Sequence, residues 1–216
     1  MIGKLQTGLI GVAITLSLSG CQSAYYSAWE KLGVEKRDIL VDRVENAQAS
    51  QEEAQEQFAD ALEEFSALIN FEGGELEEVY DDLNSEYEDS VAAAQDVTDR
   101  IDKVESVADA LFSEWEDELD KYDSDKLRRA SAEKLRDTQR KYETMIKAMR
   151  KAESRMQPVL SALQDNVLYL KHNLNASAVG ALQGELKTIQ QDVTRLIGEM
   201  QTAVSESDAF IRSMKN

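Results

Sequence analysis

The sequence contains one cysteine, Cys21, one histidine, His172, and one proline, Pro158, among its 216 residues. With one thiol the chain cannot form a disulfide within itself. With one cysteine and one histidine it cannot build a zinc site from several such side chains. The alternating apolar and polar patterns typical of β-strands are also missing. The apolar run 9–18 is about ten residues, far short of the roughly 20 that a membrane-spanning helix needs.

Cys21 follows a pattern typical of an export signal. Lys4 gives the N-terminal region a positive charge, the run 9–18 is apolar, and small residues precede the cysteine. The order Leu18-Ser19-Gly20-Cys21 is that of a lipobox, in which the thiol accepts a diacylglyceryl group and the chain is cleaved before the cysteine. We therefore predict a lipoprotein signal peptide over 1–20 and acylation of Cys21. An ordinary secretory signal with a chance cysteine and an uncleaved N-terminal helix are the alternatives.

The region that follows the predicted acylation site is predicted to be a short aromatic stalk, residues 21–33. Tyr25, Tyr26 and Trp29 suit a membrane interface, because their rings combine an apolar body with a polar tip. Packing of these rings against the base of the folded body is an equal alternative. Residue 22 is Gln, whereas Asp there favours retention in the inner membrane, so we expect a lipid-anchored, periplasm-facing protein at the outer membrane.

Residues 34–216 are predicted to form an all-α, elongated antiparallel four-helix bundle with coiled-coil packing. Apolar residues recur every seven positions over approximately 34–71, 75–122, 125–172 and 176–214. Additional apolar residues flank each seven-residue repeat, and a wide stripe of this kind favours a bundle over a two-stranded coiled coil. Short connections predict antiparallel neighbours, and the repeat continues through Pro158, which predicts a kink rather than a helix end.

The net charge of −18 is distributed unevenly along the chain. Residues 72–123 carry 20 acidic and 3 basic side chains, whereas residues 124–175 carry 6 acidic and 12 basic ones. Because antiparallel folding places these two stretches side by side, we expect them to pair with each other rather than with nucleic acid.

An acidic stretch near the predicted first turn has no lysine or arginine within it. The topology predicts that it lies at the end of the bundle farthest from Cys21. It is a candidate docking tip for a basic protein partner or divalent cations, and a solvated, repulsive surface is the simpler interpretation. The residues of this acidic tip are Glu72, Glu75, Glu77, Glu78, Asp81, Asp82, Glu86, Glu88 and Asp89.

The sequence offers no recognisable catalytic constellation, so we expect neither an enzyme nor a cofactor or resident metal. Residues from Asp82 begin like a calcium-binding loop, but Tyr87 replaces the glycine and Ala93 the terminal glutamate that such a loop requires. His172 stands beside a predicted loop and suits a helix C-terminus.

The chain resembles a family of Gram-negative lipoproteins known as domain of unknown function 2959. The matching runs are Leu18-Ser19-Gly20-Cys21, Gln22-Ser23-Ala24-Tyr25-Tyr26 and Trp29-Glu30-Lys31-Leu32-Gly33. The resemblance implies no activity. The leading hypothesis is a non-enzymatic rod, anchored by its N-terminal lipid, that spaces or recruits a partner. The alternative is a periplasmic holdase that binds unfolded proteins.

Overall fold

A computed structural model describes residues 35–71 and 76–215 of the chain. Within these residues the structure consists of four long helices: α1, Lys36–Ile69; α2, Leu76–Leu119; α3, Asp125–Lys171; and α4, Ala176–Lys215. Helix α1 packs against α2 and α4, and α3 packs against the same two helices. The four helices therefore close a ring around one core, and the prediction of an all-α four-helix bundle is confirmed.

The core consists of the residues that recur at seven-residue spacing. In α1, Leu40, Val44, Phe58 and Phe65 have no solvent-exposed surface, and residues of the other three helices complete the same apolar cluster. Aromatic packing links three helices. The ring of Tyr142 in α3 contacts the ring of Phe112 in α2 edge-on, with centroids 5.3 Å apart, and that of Phe210 in α4, with centroids 6.2 Å apart.

Polar side chains define the ends of α3 and the start of α4. The Ser124 side chain accepts a hydrogen bond from the Leu127 N–H, and the Asn175 Oδ1 accepts one from the Ala178 N–H at 3.0 Å. Helix α3 continues through Pro158, whose side chain is exposed, and ends at Lys171, with His172 at the C-cap. The exposed edge accommodates the proline because its missing N–H does not leave a buried carbonyl without a donor.

The expected pairing of acidic α2 with basic α3 occurs at Arg150. Its guanidinium donates to Asp102 of α2 at 2.5 Å, to Glu105 of α2, and to Glu153 on its own helix at 2.8 Å. Hydrogen bonds from Arg150, led by the one to Glu105, raise the pKa of the guanidinium above its ordinary value. This cluster crosslinks α2 and α3 near the middle of the bundle.

Gln51 lies at a core position of α1 and has no exposed surface, yet neither its Nε2 nor its Oε1 has a hydrogen-bond partner among the described residues. Such a group loses its hydration on folding and gains no bond in return. A buried polar residue of this kind restricts which helices fit together, at a cost in stability.

Substituting Gln51→Met, which keeps the length of the side chain, is expected to stabilise the bundle by about 1–3 kcal/mol. At this chain length the melting temperature rises by roughly 2–4 °C for each kcal/mol. Thermal unfolding followed by circular dichroism measures the change. The matched control is Gln48→Met, because the Gln48 Nε2 donates to Asp208 at 3.0 Å and its loss should not stabilise. A lower melting temperature for Gln51→Met than for the parent would contradict this explanation.

Candidate functional site

The residues predicted to function fall into two groups. Leu18, Ser19, Gly20 and Cys21, together with the aromatic stalk, lie outside the described residues, as do Glu72 and Glu75 of the acidic tip. The other seven acidic residues occupy the first four turns of α2, at the end of the bundle opposite Lys36.

Most carboxylates of the acidic tip project into solvent from α2. Of the seven, only Glu86 is half-buried, and it accepts a hydrogen bond from Gln57 of α1. Glu88 accepts one from Asn84, one turn earlier on its own helix, at 3.1 Å. The amides leave both charges in place, so this end of α2 presents a strongly negative surface.

Helix α1 adds carboxylates that the acidic tip did not include. Asp60, Glu63 and Glu64 lie on the last turns of α1, beside the start of α2. Burial raises the pKa of the half-buried Glu64 above its ordinary value, and the charges of Asp82, Glu86, Glu63 and Asp60 add to the shift. The acidic end is therefore built from two helices rather than one.

A simple signal in the sequence would have identified this larger surface. Residues 44–99 contain 18 acidic side chains and no lysine or arginine. Dividing the sequence at residue 72 separates the acidic residues of α1 from those of α2, although these two helices pack together.

Apolar side chains are exposed at the same end of the bundle, on α2, α3 and the turn after α3. Val91, Leu168, Tyr169 and Leu174 are 40%, 50%, 43% and 38% exposed. Leu168 is 18 residues, or five helical turns, beyond Arg150, so it lies on the side of α3 that faces α2. Val91 is 11 residues before Asp102 and likewise lies on the side of α2 that faces α3. Carboxylates beside exposed apolar side chains suit a partner that is both basic and apolar.

The described residues contain no group of three or more His, Cys, Asp or Glu side chains placed to hold a metal ion. The stretch from Asp82 that resembles the start of a calcium loop is helical throughout. None of the described helices combines the length and the apolar character that crossing a membrane requires.

Comparison with protein families identifies the chain. A family model described as "Protein of unknown function (DUF2959)" matches residues 25–214. The chain belongs to this family. The match spans the four helices of the DUF2959 bundle except Lys215, and it begins ten residues before the first described residue, Glu35. No curated protein matches the chain.

Neutralising Glu64 tests the electrostatics of the acidic end. A raised pKa of the Glu64 carboxyl means that the folded state binds the proton more tightly than the unfolded state. The contribution of Glu64 to the free energy of unfolding therefore falls as the pH rises above 4.5. We expect Glu64→Gln to stabilise the protein at pH 7 by a few tenths of a kcal/mol, as for other like-charge contacts on helices. The gain should shrink as the pH falls from 7 toward 4.5, where Glu64 becomes protonated in the folded state, and as salt is added.

Glu45→Gln is the matched control in the same helix, because the Glu45 carboxylate accepts from Lys215 at 2.7 Å and its loss should give no gain at pH 7. Urea unfolding at pH 7 and pH 4 measures both variants. Equal effects of Glu64→Gln at the two pH values would contradict the assignment.

Proposed function

We propose that this DUF2959 protein is a non-enzymatic lipoprotein, anchored at the outer membrane by Cys21 and facing the periplasm, that presents a partner-binding end away from the membrane. The lipobox Leu18-Ser19-Gly20-Cys21 and the glutamine at position 22 support the anchor and its destination. Two or three acyl chains are enough for stable attachment, since each buried methylene contributes about 0.8 kcal/mol.

The observation that carries the proposal is the separation of the two ends of α1. Lys36, where the chain enters the bundle, lies beside Glu114 near the end of α2, whereas Ile69 lies beside the acidic start of α2. The 34 residues of α1 rise about 51 Å between these ends. A chain tethered ahead of Lys36 would therefore hold its acidic end about 51 Å from the point where the chain enters the bundle.

The proposal assigns no catalytic step to the protein. His172, the sole histidine, is exposed at the C-terminal cap of α3, where a helix dipole favours a cation. The function then depends on what the acidic end binds, and a basic protein segment with apolar anchor residues suits the carboxylates and the exposed Val91 and Leu168.

The anchor is tested by labelling cells with palmitate and separating their inner and outer membranes. The wild-type chain is expected to incorporate label and sediment with the outer membrane, and Cys21→Ala is expected to lose both properties because the acceptor thiol is gone. Ser19→Thr, which leaves the thiol in place, controls for disruption of the signal region. Absence of label in the wild type would remove the anchor from the proposal.

The partner-binding end is tested with a photo-crosslinking amino acid at Ser85, an exposed position within the acidic tip. Ser205 is the matched control, because it is exposed on α4 near Phe210, toward the other end of the bundle. A discrete adduct is expected from position 85 only. It should disappear in about 0.5 M salt, which shortens the screening length to a few ångströms, and in the variant Asp81→Asn, Asp82→Asn, Glu88→Gln.

The holdase alternative is favoured by one observation, the exposure of Leu168, Tyr169 and Leu174 around the α3–α4 turn. It predicts a continuous smear of adducts from position 85, and suppression of aggregation when the purified protein is mixed with an equimolar unfolding client. A single adduct without such suppression would reject the holdase.

A further inference from the structure

Helices α2 and α3 extend beyond the described parts of the other two helices at the end where the chain enters the bundle. Tyr142 of α3 contacts Phe210 of α4; 17 residues of α3 precede Tyr142, but only five described residues of α4 follow Phe210. The difference of 12 residues corresponds to about 18 Å of α3. On the other side, Lys36 lies beside Glu114, so the last turn of α2 also extends past the first turn of α1. We name residues 115–134 the α2–α3 hairpin.

The α2–α3 hairpin carries a core-type surface that is only partly covered. Leu127 lies five helical turns before Met145, which is fully buried, and therefore on the same side of α3, yet Leu127 is 57% exposed. Leu119 and Trp115 lie five turns after Ile101 and Val97, which are fully buried, and they are only half-buried. The side of α2 and of α3 that faces the core thus continues past the point where the described parts of α1 and α4 stop.

Polar contacts tie the two arms of the hairpin together and leave this apolar side open. The Trp115 Nε1 donates to the Ser131 Oγ at 2.8 Å, and the Tyr122 hydroxyl approaches the same oxygen at 3.5 Å. All ten residues of 121–130 are exposed. The α2–α3 hairpin therefore supplies two helices of a four-helix arrangement. No described residue occupies the positions of the other two helices there.

We propose that residues 25–34 continue α1 and dock Tyr25, Trp29 and Leu32 on the α2–α3 hairpin, against Leu119 and Leu127. The three residues are spaced four and three apart, which is the spacing of one helical face. Leu32 is also seven residues before Ile39, which is buried, so the same face continues from α1.

The length and position of this segment match the uncovered surface. Ten residues of helix rise about 15 Å, close to the extension of the hairpin. The segment joins α1 at Lys36, which already lies beside Glu114 at the start of that extension. The family match starts at residue 25 rather than at the first described residue, so the region that the family shares includes the whole segment.

Charge argues against an anionic membrane surface as the occupant. The α2–α3 hairpin has seven acidic and five basic side chains, and Asp117, Glu118, Asp120 and Asp123 surround its tip. A surface with net negative charge is repelled by anionic headgroups, whereas Tyr25, Trp29 and Leu32 are uncharged.

Disulfide trapping tests the docking in the chain 22–216, which lacks cysteine and keeps the whole family-matched region and every described residue. The pair Tyr25→Cys with Leu127→Cys is compared with Tyr25→Cys and Arg129→Cys. Arg129 is also exposed and lies two residues away, on the opposite side of α3. We expect at least about fivefold more intramolecular disulfide with Leu127→Cys, because the bond requires Cα atoms within roughly 7 Å. Equal yields from the two pairs, or none from either, would overturn the proposal.

The fluorescence of Trp29 gives an independent readout that leaves Tyr25 in place. In the Trp115→Phe background Trp29 is the sole tryptophan. Docking predicts that iodide quenches Trp29 weakly in buffer, and that adding Leu127→Asp makes quenching approach that of free tryptophan while the helix content stays constant. The exposed Leu127 should tolerate this change, and Arg129→Asp should leave quenching unchanged. Strong quenching in buffer that falls only when phosphatidylethanolamine–phosphatidylglycerol vesicles are added would overturn the proposal and make lipid the occupant.

Discussion

Apolar burial between α1 and α2 holds together two helices that repel each other. No lysine or arginine occurs from residue 44 to residue 99, a stretch that includes most of α1 and the first half of α2. The repulsion is modest, since each exposed like-charge contact costs only about 0.2–0.5 kcal/mol and salt screens it. Burying a side chain such as Phe58, Phe65 or Leu68 contributes about 1.5–3 kcal/mol. The core therefore decides the pairing, and the acidic surface is tolerated.

In the other half of the bundle, ion pairs that involve α3 balance part of the negative charge. Arg150 of α3 forms ion pairs with Asp102 and Glu105 of α2, and Lys151 of α3 pairs with Glu199 of α4 at 2.7 Å. Apart from Lys171, the basic residues of α3 all lie between Lys126 and Arg155, so they offset acidic residues of α2 only beside that part of α3. As a consequence, negative charge is concentrated at one end of the rod, and the position of that end follows from helix order.

The sequence was sufficient for the helices and their core because both depend on local periodicity. Leu40, Phe58 and Phe65 stand on the predicted seven-residue repeats and are buried, and Gln51, on the same repeats, is buried with them. The relative height of the helices could not be predicted, since it depends on how side chains of different helices interdigitate. The extension of α2 and α3 past Lys36 and Lys215 is a result of that register.

The same limit applies to the candidate site. Seven of the nine acidic residues lie in the described part of α2, and their exposure follows from the pattern of one helix. The contribution of Asp60 and Glu64 from α1 and the neighbouring Leu168 from α3 required the packing of three helices to become visible. The residues of the predicted anchor, 18–21, lie outside the described part of the chain, so their interpretation still rests on the sequence.

The two ends of the bundle differ in what they lack, and this difference bears on how such a rod could work. The acidic end has a buried core, because Leu68 of α1 and Leu170 of α3 are fully buried, and its excess carboxylates, which lie beside exposed apolar side chains such as Leu168, can be balanced by added positive charge. Ions or a basic partner can supply that charge reversibly, without any change in packing. The hairpin end has a smaller excess of acidic side chains, seven against five basic ones, and the described residues leave Leu127 without apolar cover. If a segment of the same chain covers Leu127, its apolar side chains become part of the folded core. Such a segment is not expected to dissociate and be replaced by water. A permanent attachment therefore suits the hairpin end, and reversible, salt-sensitive binding suits the acidic end, which is the division of roles that a tethered docking rod needs.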